Sequence, residues 1–332
     1  MPNIEQLVDF RFVTIYCILQ GIQALKNIIS ASRRTDIPAF YSEWFIRRLK
    51  AGEVYVKNPY GGQIYRVSLK PDDIHCIVFW SKNFAPLISR IEEVENVTGN
   101  LFFHFTITGI PEDIESNTPH YTEAIDDFIC LSKRYSPDHL IWRFDPVCIT
   151  DKLSFDYYEE MFSECAEKLR GSCDKCYISF VQKYRKAISN FEKYSDHKFV
   201  DIDTETQREY AIRLGRIAEK NGIKLFACCN DYLLSDQVHK GSCINSRELA
   251  GLFSGYSIST PVAPTRKECA CTKSIDIGSY DTCPHGCLYC YANSDKEKSK
   301  ALSENMDMGC NALGFNVDEK LLINEDLQAS LL

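Results

Sequence analysis

The sequence predicts an α/β fold: a partial, TIM-like (β/α) barrel of about six parallel strands, followed by a cysteine-rich loop segment. Three observations carry that expectation. Short apolar runs recur at the spacing of βα units, amphipathic helical patterns lie between them, and cysteines crowd into one stretch after the last run.

The apolar runs cover residues 28–32, 74–80, 101–107, 140–144, 176–181 and 223–227. Several are continuous rather than alternating, as expected of strands covered on both faces. Helical periodicity fills 42–49, 121–135, 157–169 and 204–221, with Ser42 expected to cap the first and Asn221-Gly222 to stop the last. Residues 53–57 and 63–67 flank Asn58-Pro59-Tyr60-Gly61-Gly62, the pattern of a β-hairpin inserted after the first helix. The chain thus divides into an N-terminal extension (1–27), a βα barrel (28–260), a cysteine-rich cluster-binding segment (261–293) and a polar tail (294–332) expected to be flexible.

Composition narrows the function classes. The balance of 45% hydrophobic and 25% charged residues is that of a globular protein with a sizeable core. A net charge of −8 gives no support to tight nonspecific nucleic-acid binding, though Arg33-Arg34 could serve a local basic groove. Residues 10–29 are the most apolar early stretch, but Arg11, Gln20, Gln23, Lys26 and Asn27 interrupt it, so an amphipathic helix or an extension beyond the natural start is expected there and no membrane span. Sixteen cysteines in 332 residues need a reason. The N-terminus lacks the shape of a secretory signal, so these are expected to be reduced cytoplasmic thiols, some of them metal ligands.

Residues 283–290 read Cys-Pro-His-Gly-Cys-Leu-Tyr-Cys, a C-x-x-x-C-x-x-C pattern. Even in so cysteine-rich a chain, chance gives this spacing roughly 0.04 times. Cysteine thiolates are the usual ligands of four-iron clusters. Cys283, Cys287 and Cys290 would leave one iron open, and an open position separates catalytic from structural metal sites. Pro284 and Gly286 suit the tight turns of a loop wrapped on a cluster, and Tyr289 could cover a nucleoside-like ligand. His285 is expected to be a donor that stabilises the loop.

With Tyr291-Ala292-Asn293, this octapeptide resembles the cluster loop of radical S-adenosylmethionine enzymes, and its Tyr-Cys-Tyr-Ala ending is similar to the spore photoproduct lyase branch. From about residue 28 to 293 the chain also resembles a bacterial family of unknown function, the domain of unknown function 1848 family. Ser30-Ala31-Ser32-Arg33-Arg34-Thr35-Asp36-Ile37-Pro38, Val78-Phe79-Trp80-Ser81-Lys82-Asn83, Trp142-Arg143-Phe144-Asp145-Pro146 and Asp276-Ile277-Gly278-Ser279-Tyr280-Asp281-Thr282-Cys283 carry that likeness. The first resemblance implies a 4Fe–4S cluster, bound S-adenosylmethionine, a lyase or oxidoreductase acting on an unknown substrate, and an electron donor such as flavodoxin or ferredoxin. Enzymes of that kind usually carry the cluster loop after the first barrel strand. Here it follows the last, so a circularly permuted barrel is implied.

A second set, Cys228, Cys243, Cys269 and Cys271, offers four ligands for a closed site holding an iron–sulfur cluster or zinc, with Cys229 able to replace Cys228. The competing reading is plain buried thiols, which is also expected for Cys17, Cys76, Cys130, Cys148 and Cys165. Cys173 and Cys176 form a C-x-x-C pair without a partner pair, and Cys176 opens a strand.

Polar residues follow the strands where βα folds bind ligands. They are Arg33, Arg34 and Asp36; Ser81, Lys82 and Asn83; Thr106 and Thr108; Arg143 and Asp145; Gln182 and Lys183; Asn230 and Asp231. Arg33, Arg34, Asp36, Lys82, Arg143 and Asp145 are the candidate catalytic residues. Arg33, Arg34 and Lys82 would suit an anion or the carboxylate of S-adenosylmethionine. Plainer readings make Arg143–Asp145 an ion pair, Asp36 a helix cap and His104 a core residue. The leading expectation is a radical enzyme. The alternatives are a non-catalytic zinc or iron–sulfur module stabilising the barrel, and a hydrolase or lyase using the polar face alone.

Overall fold

A computed structural model describes residues 26–253, 261–264 and 266–317. The elements run β1 (Asn27–Ala31), α1 (Ile37–Phe40), α2 (Ser42–Ala51), β2 (Glu53–Lys57), β3 (Ile64–Ser68), β4 (Ile74–Ser81), α3 (Ala85–Ile88), α4 (Ile91–Glu95), β5 (Leu101–Thr106) and α5 (Tyr121–Tyr135). They continue with β6 (Leu140–Val147), α6 (Phe155–Lys168), β7 (Lys175–Phe180), α7 (Arg185–Tyr194), α8 (Thr204–Lys220), β8 (Lys224–Ala227), β9 (Val238–Lys240), α9 (Ser246–Leu252), β10 (Ile275–Asp276) and α10 (Lys296–Glu304).

The α/β expectation holds, and the sheet is larger than the six apolar runs imply. Among the described residues it has eight strands in the order β10-β1-β4-β5-β6-β7-β8-β9. Every neighbouring pair is parallel. The two extra strands are the edges, three and two residues long, too short to leave a hydrophobic pattern. The edges do not pair with each other, so the sheet is an open, partial barrel.

Both faces of the sheet are covered, which explains the unbroken apolar runs. One face sends Ile77, Phe79, Phe103, Phe105, Trp142 and Phe144 into a core shared with the helices, where Phe79 stacks on Phe103 and Trp142 on Phe162. Alternate residues Cys76, Val78, Phe102, Ile141 and Tyr177 face the other way. They pack with Cys228, Cys243, Cys269, Cys271, Leu249 and Phe253. The cysteine-rich segments therefore cover the second face of the sheet.

The hairpin lies where expected, as the antiparallel pair β2–β3. Two local expectations change. Ser42 is the first residue of α2 rather than its cap; Tyr41 takes the cap position, with no side-chain cap bond. The stretch expected to be a flexible tail opens with α10, which Asp295 caps by accepting the Lys298 N–H at 3.0 Å. Past α10 the chain returns to the hairpin, where Tyr55 N donates to Asn311 O at 2.9 Å, and to α2, where Trp44 Nε1 donates to Cys310 O at 3.0 Å. The amphipathic helix expected over 10–29 lies, before Lys26, outside the described residues; Asn27–Ala31 is strand.

Candidate functional site

The carboxyl ends of β1 and β4–β8 surround a cavity of about 300 Å³. Ligand sites of open α/β sheets occupy this position. Arg33, Arg34, Asp36, Lys82, Arg143 and Asp145 all line it. So do both sets of cysteines, Cys283, Cys287 and Cys290 on one side and Cys228, Cys229, Cys243, Cys269 and Cys271 on the other.

The first wall is built on β10, which pairs with β1 and delivers the 283–290 loop to the carboxyl end of the sheet. Asp276 locks the junction. Its carboxylate accepts from Ser30 Oγ at 2.9 Å, Ser32 Oγ at 2.6 Å, Arg33 N at 2.8 Å and Gly278 N at 3.0 Å. Gly278 is obligatory here, because a Cβ would sit 2.0 Å from Ser32 Oγ. Gly286 has φ +72° and a Cβ site 2.5 Å from Ser116 Oγ, so the turn between Cys283 and Cys287 also needs glycine.

The loop is then pinned from outside. His285 is buried, with Nε2 2.7 Å from Asp36 Oδ2 and Nδ1 2.7 Å from Asn117 O. Asp36 also caps α1 through Ala39 N and accepts from Ser81 Oγ and Lys82 N. Asp36 is thus the helix cap of one expectation and also lines the cavity, and His285 holds the loop as expected. Asn293 Nδ2 donates to Cys283 O at 2.5 Å. Burial pushes each of the three thiols above its ordinary pKa, and the carboxylates of Asp36 and Glu115, then the neighbouring cysteines, push Cys283 and Cys287 further. Held as thiolates, the three would need a nearby cation, and a metal ion could serve as one.

Beside Cys287 lies a residue that no local pattern flags. Glu115 is 3% exposed and sits in the loop after β5. It takes Lys82 Nζ at 2.9 and 3.1 Å and the Tyr289 hydroxyl. Burial opposes the Lys82 charge, but Glu115, then Cys287, hold its pKa above the ordinary lysine value. Burial, then Glu115, drives the Tyr289 pKa up. Tyr289 is therefore a neutral donor, anchored with its ring 5.9 Å from the Lys82 ammonium.

Between the walls, Arg143 forms the ion pair foreseen with Asp145, Nε to Oδ1 at 3.1 Å. Its guanidinium lies over Trp80 and Tyr177 at 5.3 and 5.9 Å. Trp80 stacks in parallel on His104 at 3.9 Å, and burial lowers the His104 pKa to about 3. His104 is therefore a neutral core residue, as expected. Arg33 and Arg34 are held loosely by Asp276, at 3.7 and 3.9 Å.

The second wall gathers its cysteines from three places: the end of β8, the turn after β9, and residues 269–271. Cys228 Sγ lies 3.2 Å from Cys243 Sγ and 3.7 Å from Cys229 Sγ. Cys269 and Cys271 pack with Cys228 and Cys243 in one buried cluster. Arg143 Nη1 reaches Cys243 Sγ at 3.4 Å.

Other expected residues fall elsewhere. Thr106, Ser81 and Gln182 line the cavity, but Asn83, Thr108, Lys183, Asn230 and Asp231 do not. Lys183 pairs with Asp201, and Asp231 with Lys240. Cys76, Cys148, Cys165, Cys173 and Cys176 are buried thiols, whereas Cys130 is exposed on α5 rather than in the core. Cys17 lies outside the described residues. Asp276 and Glu115 are the residues missed. Asp276 carried a weak signal, an acid between isoleucines, and Glu115 none. Among the described residues no helix is long and apolar enough to cross a membrane.

A family model described as a domain of unknown function (DUF1848) matches residues 28–292, most of the chain, and the chain belongs to that family. No curated protein matches it.

Proposed function

We propose that this member of the DUF1848 family is an iron–sulfur enzyme of the radical S-adenosylmethionine type, with Cys283, Cys287 and Cys290 holding a 4Fe–4S cluster. One observation carries the reading. The three-cysteine loop leaves an edge strand, β10, and opens into the cavity at the carboxyl ends of the sheet. That is the permuted equivalent of a cluster loop following a first barrel strand.

The residues present fit such a group. Residues 277–293 contain three cysteines, so the loop itself leaves one position free for a ligand. The chemistry that a cluster of this kind supplies when bound is one-electron reductive cleavage of S-adenosylmethionine, with hydrogen abstraction from a substrate. The chain's own residues supply the setting. Asp36 and His285 hold the loop in shape. Arg33 and Arg34 offer cations for a carboxylate. Lys82, kept charged by Glu115, places a positive charge beside Cys287. Trp80, Tyr289 and Phe180 give the cavity apolar surface that limits water near the reacting groups. A flavodoxin or ferredoxin would supply the electron.

Anaerobic reconstitution with iron and sulfide tests the reading. The expected result is a brown protein absorbing near ~400 nm that forms 5′-deoxyadenosine and methionine from S-adenosylmethionine with dithionite. Cys283→Ala should form neither. A colourless protein with stoichiometric zinc, or an iron-loaded one that leaves S-adenosylmethionine intact, overturns it. The zinc outcome would favour a metal site that stabilises the barrel.

A further inference from the structure

We infer that Cys228, Cys243, Cys271 and Cys269 form a second thiophilic metal centre, on the cavity wall facing the 283–290 loop. The case stands independently of the radical reading. Cys228, Cys243 and the 269–271 pair come from three separate segments, yet the sulfurs of the first two lie 3.2 Å apart, and Cys269 and Cys271 line the same cavity and pack in the same buried cluster. Thiols hydrogen-bond weakly, so their mutual attraction does not explain the gathering.

The backbone explains how it is held. Ser242 Oγ lies 3.0 Å from Ile244 O and 2.9 Å from Ala270 O, within reach of its one hydroxyl proton for either. Thr272 N donates to Ile244 O at 2.9 Å, and Tyr177 Oη to Ser242 O at 3.0 Å. Gly241 N donates to Ala227 O at 2.7 Å, and a Cβ at Gly241 would lie only 3.0 Å from that oxygen. These backbone and hydroxyl bonds, rather than the thiols, splice the three segments together.

The donor set fixes the ligand's chemistry. Thiolates alone select zinc or an iron–sulfur cluster over magnesium or calcium. Four of them close the coordination sphere, so this centre is structural or electron-relaying rather than a second open site. Arg143 is the cation placed against it, 3.4 Å from Cys243 Sγ, and its other contacts face the cavity. A substrate held by Arg143 would therefore lie between two metal-bearing walls.

The test is metal content with the first wall removed. The full-length Cys283→Ala/Cys287→Ala/Cys290→Ala variant is purified anaerobically and supplied in parallel with zinc alone or with iron and sulfide. The expected result is one zinc per chain in the first arm, or iron with matching sulfide in the second. Adding Cys228→Ser and Cys271→Ser should cut that content by more than about tenfold. If the triad variant does not fold, alkylation of the wild-type chain replaces it. Cys228, Cys243, Cys269 and Cys271 should be protected from iodoacetamide until a chelator is added. A triad variant that folds but binds no metal in either arm overturns the inference. So does a Cys228–Cys243 disulfide in the anaerobic protein, or alkylation of these four that a chelator does not change.

Discussion

The two cysteine walls face the same cavity but are built in opposite ways. The first takes its three thiols from eight consecutive residues and fixes them with buried charge: Asp36 on His285, Glu115 on Lys82 and Tyr289. The second draws its thiols from three segments and backs them with apolar packing from Ile28, Cys76, Val78, Phe102 and Ile141. A loop that folds back on itself cannot bury an apolar cluster of its own, so polar bonds from neighbouring loops must hold it. Segments laid across a sheet face inherit the sheet's packing instead. Disturbing Asp36 or Glu115 should therefore damage the first wall and spare the second.

The largest contrast should come from the sulfurs. Cys287→Ala should lower 5′-deoxyadenosine formation by more than about a hundredfold, beyond what outer-shell changes cause. Cys243→Ser should leave the iron on the first wall, as read by iron-to-protein ratio. Equal loss of iron from both variants would merge the walls into one centre.

Next comes the buried pair. Glu115→Gln strands the Lys82 charge and should cost about 3–5 kcal/mol, read as a lower urea midpoint. Lys82→Met added to it should recover most of that loss, because the uncompensated charge goes with it. Additive losses would show that the pair does not act as a unit.

Asp36→Asn breaks the support for His285. Iron should be retained against a chelator about 10–100-fold less well, the range for outer-shell partners of metal ligands. Metal on the second wall should not change. If the second wall loses metal equally, the polar support is not confined to the first.

Two glycines give the smallest effects, opposite in sign. Gly286→Ala meets both a left-handed φ and Ser116, and should cost about 1–3 kcal/mol. Gly251→Ala, in α9 behind the second wall, has open space around its Cβ site and should stabilise by about 0.5–1 kcal/mol. Both are read as shifts in the thermal midpoint, and matching signs would remove the contrast.

Much of this was legible in the chain because it is local. Each of the six inner strands carried an apolar run, several of them continuous, and the hairpin showed its turn residues between two short β patterns. The cysteine triad was visible as spacing. The edge strands β9 and β10 were hidden, because two or three residues cannot carry a period. The ordered start of the tail was hidden too, since Ser294-Asp295-Lys296-Glu297-Lys298 is polar whether it forms a capped helix or a loose end.

The sequence by itself determined the six inner strands, the hairpin and four of the helices, the parallel α/β class and the identity of the three loop thiols. Hydrophobic periodicity, turn chemistry and ligand spacing all act over a few residues. Only the tertiary structure decided that β10 lies beside β1, that Glu115 meets Lys82, that Asp276 clamps the Ser30–Arg33 turn, and that Cys228, Cys243 and Cys271 converge. Those contacts join positions tens to hundreds of residues apart, and no local energy term records which distant partner a side chain will meet.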